Sequence, residues 1–369
     1  MKNLINSLIT LYKFIKTPKS KKEFVFFSES KFYRNHFRDI VKELKIYKND
    51  KIFFVCRDVE DYEYFKTQVN TIYLSNNNLL FIFFFTLNCK NLILTLTDLG
   101  ANFPKSRNCD NYIYFFHAFA STHKIYKRNA FKNYDIIFSN GNYQNLELKK
   151  AEEIYKFPKK IIENTGYFYF DFLKKNINLN LREKNCILFA PSWNYNNKNL
   201  FEDFGFKIVE ILLKENFSVI LRPHSEHFKR SKNQIQNLTK YFKKDLFKID
   251  NNSSNVPSME KSELLISDNS SIFSEYLFAF KKPVIKIDYV DKIHNSTFKE
   301  LNVETIDEKI LKKFGNILNI NNIQELPQTI RKITSLKLND DEIDKFIKES
   351  FFNVGSSVKL AAKILKDKY

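Results

Sequence analysis

Six histidines stand in this chain of 369 residues, and two follow directly on short apolar runs, where a strand of a parallel sheet would deliver them to its edge. His117 closes the run Tyr112 to Phe116 (YIYFF), and His224 leaves Phe217 to Leu221 (FSVIL) within Arg222-Pro223-His224. An imidazole titrates near neutrality, so His117 is suited to take a proton from an attacking hydroxyl. Arg222 offers a bidentate cation and His224 a hydrogen-bond donor, on either side of a rigid proline; such heads suit phosphate oxygens or a developing leaving-group oxygen. The plainer reading of each is a core, cap or surface residue. His123 and Lys124 follow His117 within two turns' length of chain.

Two further segments carry the same signature of an apolar strand ending in polar residues. In Cys186 to Trp193 (CILFAPSW), Pro191 stops the strand, and the Ser192 hydroxyl with the face of Trp193 could hold phosphate and a base or ribose. Core packing is the ordinary alternative for a lone tryptophan. In Leu264 to Ile287 (LLISDNSSIFSEYLFAFKKPVIKI), a strand ends at Ser267 and Asp268-Asn269-Ser270-Ser271 opens a helix that carries Glu275. Backbone N–H groups and hydroxyls at a helix start form an anion site without glycine; a simple N-cap is the bland reading.

Composition narrows the chemistry. The glycines (Gly100, Gly141, Gly166, Gly205, Gly315 and Gly355) lie far apart, so neither a Walker loop nor a dinucleotide G-x-G-x-x-G can be assembled. Cys56, Cys89, Cys109 and Cys186 form no C-x-x-C pair, which fits a reducing cytoplasm and no structural metal. G-x-S-x-G, H-E-x-x-H and D-x-D are missing too, and no cofactor is expected. The net charge of +18 would suit nucleic acid, but the basic residues run from Lys2 to Lys368 interleaved with 42 acids, and no nucleic-acid motif appears.

These residues need elements to position them. Apolar runs at 24–27, 52–55, 71–74, 92–95, 112–116, 135–138 and 161–165 alternate with helical stretches, and the pattern restarts after a polar stretch at 174–184 with runs at 186–190, 217–221, 246–249, 264–266 and 284–287. Continuous apolar strands separated by helices predict parallel sheets covered on both faces. The expectation is an α/β chain of two Rossmann-like domains, residues 23–175 and 184–335, with the site in the cleft between them and helices over 336–369. Residues 1–22 form a basic amphipathic segment with Leu4, Ile5, Leu8, Leu11, Tyr12 and Ile15 at helical spacing. No cleavage site follows, so a signal peptide is rejected; an interfacial helix on anionic lipid and a first helix packed on its own domain both remain open. Leu79 to Leu87 is too short for the ~20 residues of a span and reads as a buried helix.

In this order, FFHAF around His117, Gly166 to Asp171 (GYFYFD), APSW, RPHS and SDNSSIFSEYLFAFKKPVI resemble the CDP-glycerol glycerophosphotransferase family, the teichoic-acid and capsule poly(glycerol-phosphate) synthases. The resemblance runs from about residue 110 to 290 and more loosely through Asn353 to Ser357. Where the family has W-H-G this chain has Phe116-His117-Ala118, a departure on the acceptor side. The resemblance implies a GT-B fold, with the donor nucleotide in the C-terminal domain and the acceptor on the N-terminal one. It implies His117 and His224 as the catalytic pair, and Ser192, Trp193, Arg222, Asp268, Asn269, Ser270, Ser271 and Glu275 around a CDP-glycerol or related CDP-alditol donor. His123, Lys124 and Asp171 would lie on the side of an anionic glycan or lipid-linked acceptor. The cysteines and the basic N-terminal segment together give the expected location: the cytoplasm, with attachment to the cytoplasmic face of the inner membrane open between the two readings of that segment. A GT-B glycosyltransferase using a nucleotide sugar is the rival reading, and a basic nucleic-acid-binding protein a remote one.

Overall fold

Runs of Phe, Ile, Val and Leu bury both faces of a strand only where helices cover the sheet on either side, and that is the arrangement in the computed structural model, which describes residues 2–97, 99–194, 198–242 and 245–369. The first sheet holds β1 (Phe24–Ser28), β2 (Ile52–Cys56), β3 (Asn70–Tyr73), β4 (Asn88–Leu94), β5 (Asn108–Phe115), β6 (Ile136–Ser139) and β7 (Ile161–Asn164), in the order β3-β2-β1-β4-β5-β6-β7. The second holds β8 (Cys186–Phe189), β9 (Ser218–Leu221), β10 (Phe247–Ile249), β11 (Leu264–Ser267), β12 (Val284–Asp288) and β13 (Asn316–Asn319), in the order β10-β9-β8-β11-β12-β13. Every strand pair is parallel. Two Rossmann-like sheets of the GT-B kind are therefore present. All twelve expected strands fall on observed ones; β13 is additional, two apolar residues between asparagines that gave no period to read.

The tail joins the halves. The helix Asp340–Ser350 sets Ile343, Phe346 and Ile347 into the core beside the second sheet, while the last helix, Ser357–Lys368, sets Val358, Ala361, Ala362 and Leu365 among Phe24, Phe54 and Phe115 of the first sheet and Phe37 of the helix Arg34–Lys48 that covers it. A second seam follows β12. The Asn295 side-chain amide donates to the His123 carbonyl at 2.9 Å, the Tyr155 hydroxyl donates to the Thr297 carbonyl at 3.1 Å, and Ile306 N–H donates to Ser121 Oγ at 2.8 Å. These bonds hold one flank of the cleft in register.

The N-terminal helix Lys2–Lys16 packs and also presents itself. Phe14 meets Phe53 and Phe83 at ring separations of 5.2 and 5.4 Å, whereas Leu4, Ile5, Leu8, Ile9, Tyr12 and Ile15 stay exposed. The helix Asn77–Thr86, expected to be buried, is so on one face only: Leu79, Leu80, Phe83 and Phe84 are covered, while Phe81, Ile82 and Phe85 are 52%, 41% and 66% exposed. Its apolar residues encircle the helix, so burying one face necessarily leaves others in water. Among the described residues no helix is long and apolar enough to cross a membrane.

Candidate active site in the interdomain cleft

Strand order reverses in the second sheet between β8 and β11, and at such a switch point the loops leaving the strands part to form a crevice. The two loops are tied across it. Asp268, just after β11, accepts the Ser192 N–H at 2.6 Å on one carboxylate oxygen and the Ser192 hydroxyl at 2.9 Å on the other. Burial raises the Asp268 pKa, and the two Ser192 bonds oppose that rise. Asn269 donates to the Val290 carbonyl at 2.8 Å. Ser270 and Ser271 then open the helix Ile272–Phe280, and their side chains make no hydrogen bond to the protein among the described residues. Helix-start N–H groups and two spare hydroxyls are the makings of an anion site. A recess of about 430 Å³, open to solvent, is bounded there by Lys124, Asp268, Asn269, Ser270, Lys286 and Asp307.

His224 enters from β9. It is the N-cap of the helix Ser225–Arg230, and its Nδ1 accepts the Glu226 N–H at 3.3 Å. With Nδ1 accepting, the ring proton of a neutral His224 sits on Nε2, which is left to donate. Burial holds its pKa well below the ordinary value, and the charges of Lys292, His227 and His117 act the same way. His117 enters from the opposite sheet, two residues past β5. Its ring lies 4.7 Å from that of Tyr33 and 6.4 Å from that of His36. Burial, then Lys292, lowers its pKa to about 4, while a backbone contact with Thr95 works in the opposite direction. His117 Nδ1 has no hydrogen-bond partner among the described residues. A neutral ring with an unengaged Nδ1 can accept a proton.

Several expected residues are committed elsewhere. Arg222 donates to Asp250 at 2.6 Å and to the carbonyls of Ser254 and Asn252 at 3.3 and 3.0 Å, so its fork organises the 250–254 loop. Glu275, expected near a ribose, is buried and accepts the Tyr167 hydroxyl at 2.7 Å; burial lifts its pKa to about 8. Trp193 stands edge-on to His227 with centroids 5.0 Å apart. His123, expected on the acceptor side, has Nδ1 at 3.3 Å from Glu147 and Nε2 at 3.2 Å from the Val303 carbonyl, which makes it a peg between domains. Asp171, expected there too, accepts Gly355 N–H at 2.6 Å and Val358 N–H at 3.4 Å, which caps the last helix. Lys124 does line the recess, 3.4 Å from Asp291 and 3.7 Å from Glu308.

Three residues had gone unread in the sequence. His227 joins the Ser192 carbonyl at 3.2 Å and Ser231 at 3.2 Å, supporting the loop after β8 from beneath; a second histidine in RPHSEH was its only signal. His36 stacks on Tyr169 at 4.4 Å beside His117, and burial brings its pKa to about 3. Lys292, on the loop after β12, interacts electrostatically with Asp268, Asp307, His117 and His224. Nothing marks it among so many lysines.

A family model described as CDP-Glycerol:Poly(glycerophosphate) glycerophosphotransferase matches residues 9–294. The chain belongs to that family. This glycerophosphotransferase is thus a transferase, and solved structures bear out its fold. The wall teichoic acid polymerase TagF is 15% identical, with 99% of this chain and 95% of that one covered at a TM-score of 0.56. A TagF variant soaked with CDPG gives 14% identity, 98% and 93% coverage and a TM-score of 0.58. The Methanocaldococcus jannaschii UDP-GlcNAc 2-epimerase, in complex with UDP-GlcNAc and UDP, gives 11% identity, 93% and 99% coverage and a TM-score of 0.61. No curated protein matches the sequence.

Proposed function

We propose that this glycerophosphotransferase moves glycerol phosphate, or a related alditol phosphate, from a CDP-linked donor to a hydroxyl of an anionic glycan or lipid-linked acceptor and releases CMP. One observation carries the reading: His117, two residues past β5 of the first sheet, and His224, three residues past β9 of the second, come from different sheets, and His117 stands near enough to His224 to add to the lowering of its pKa by burial. The acceptor oxygen attacks the phosphorus that bears the alditol. Its proton passes to His117 Nδ1, the bond from that phosphorus to the bridging oxygen breaks, and CMP leaves with the bond's electrons. His224 Nε2–H donates to the bridging oxygen as charge builds there. The start of the helix Ile272–Phe280 and the hydroxyls of Ser270 and Ser271 face the diphosphate. Asp268 acts through Ser192, as a like-charged carboxylate should. The TagF variant soaked with CDPG has the same fold, which supports the choice of donor.

The exposed apolar faces of the helices Lys2–Lys16 and Asn77–Thr86, flanked by Lys13, Lys16, Lys19 and Lys21, suit the surface of an anionic bilayer at which a lipid-linked acceptor would be met. The donor is tested by incubating purified protein with CDP-glycerol, CDP-ribitol, and UDP- and CMP-linked sugars and scoring the nucleotide released. CMP from a CDP-alditol is expected. Transfer from a nucleotide sugar, with CDP-alditols left intact, would replace this reading with that of a glycosyltransferase.

A further inference from the structure

The loop leaving β12 touches the helix start of the second domain on one side and the first domain on the other. Val290 is held through its carbonyl by Asn269, and Asp291 lies 3.4 Å from Lys124 and 4.0 Å from Lys286. His294 N–H donates to the Lys124 carbonyl at 3.0 Å. Lys292 thus lies on a short stretch tied to the helix start through Val290 and to the first domain through Asp291 and His294. Its setting differs from that of its basic neighbours. Lys124 and Lys286 both pair with Asp291, and Arg222 is spent on Asp250, whereas Lys292 makes no ion pair within 4 Å and no hydrogen bond among the described residues.

We propose that Lys292 is the cation that binds the diphosphate of the donor, seated between the anion site at Ser270 and Ser271 and the two histidines of the cleft. This rests on the donor reading above. An ammonium in a half-buried cleft is poorly hydrated, and Asp268 and Asp307, which flank it, favour its charged form against the lowering effect of burial. A half-buried cation with no ion pair within 4 Å is a charge that a diphosphate can match. Its field also adds to the effect of burial on the histidines. Burial lowers the pKa values of His117, His224 and His294, and Lys292 lowers them further, so that both reacting rings are neutral before the donor arrives. Diphosphate binding then offsets that field and makes His117 a better base once the donor is in place.

Inorganic pyrophosphate, titrated calorimetrically into the whole protein, is the direct probe, with cytidine as the phosphate-free control. Lys292→Gln and Lys292→Met should each weaken pyrophosphate at least tenfold and leave cytidine unchanged, and Lys292→Arg should restore most of the loss. The histidine NMR midpoints of His117 and His224 should rise in Lys292→Gln, a shift that a merely structural lysine would not cause. Unchanged pyrophosphate affinity in either folded neutral variant, or no pyrophosphate binding by the wild type, would overturn the assignment. If pyrophosphate binding depends on Lys292 but CDP-glycerol yields no CMP, the cation site stands and the donor reading falls.

Discussion

His117 and His224 show how burial prepares two identical side chains for opposite tasks. Both are driven neutral by their surroundings, but His224 spends Nδ1 on its own helix and keeps a proton to give, while His117 keeps an unengaged nitrogen to receive one. The lowered pKa of His117, about 4, fixes the sign of the pH dependence: the ring is ready to accept a proton at every pH above that value and is lost as a base only below it. The profile of kcat/KM for the donor should therefore stay flat from pH 7 down to about 5 and fall only beyond. An acid limb near 6.5 would show that His117 is not the group titrating in the free enzyme. These two residues were legible because each ends an apolar run, a pattern that sets a side chain at a sheet edge whatever else the fold does. Arg222 was legible in place but not in partner, since Asp250 lies 28 residues away and no local spacing announces it. Lys292 was hidden for the opposite reason: its residue type is common throughout the chain, and only its surroundings set it apart.

At the level of elements, strands were easier to read than helix surfaces. A run such as Phe24 to Phe27 has a single use in a sheet covered by helices on both faces, whereas the helix Asn77–Thr86 is apolar all round and its sequence does not say which face meets the sheet. The exposed remainder, with Leu8 and Tyr12 of the N-terminal helix, defines a testable surface. Phe85→Glu combined with Leu8→Glu should lower co-sedimentation with phosphatidylglycerol vesicles several-fold and leave CMP release with a soluble acceptor intact; equal sedimentation would remove membrane adsorption from the account. Asp171 belongs to this scale too. GYFYFD and the Asn353 to Ser357 segment were each visible in the sequence, but that the first caps the helix after the second depends on the tail crossing between domains. Asp171→Ala should destabilise the fold by roughly 1–3 kcal/mol in urea unfolding, through uncapped N–H groups, with KM for the donor little changed. A large change in acceptor KM without loss of stability would return Asp171 to the acceptor side.

Over the whole molecule, the burial of its histidines gives the protein a particular weakness. Five of its six histidines have pKa values pressed below 6.5, with His36 at about 3 and His117 and His294 at about 4. Between those values and 6.5 the unfolded chain binds protons that the folded one refuses, so folding stability falls as pH drops through this window. The melting temperature should decline between pH 6.5 and 4.5, and a flat response over that range would show these rings to be solvated. The overall architecture is also what turns separate motifs into one site: each sheet contributes one histidine, and neither domain holds the pair. CMP release from CDP-glycerol, compared among the wild type, His117→Ala and His224→Ala with circular dichroism to verify folding, tests this most directly. Loss of at least a hundredfold in each folded variant is the predicted result, and near-normal release by either one would contradict it.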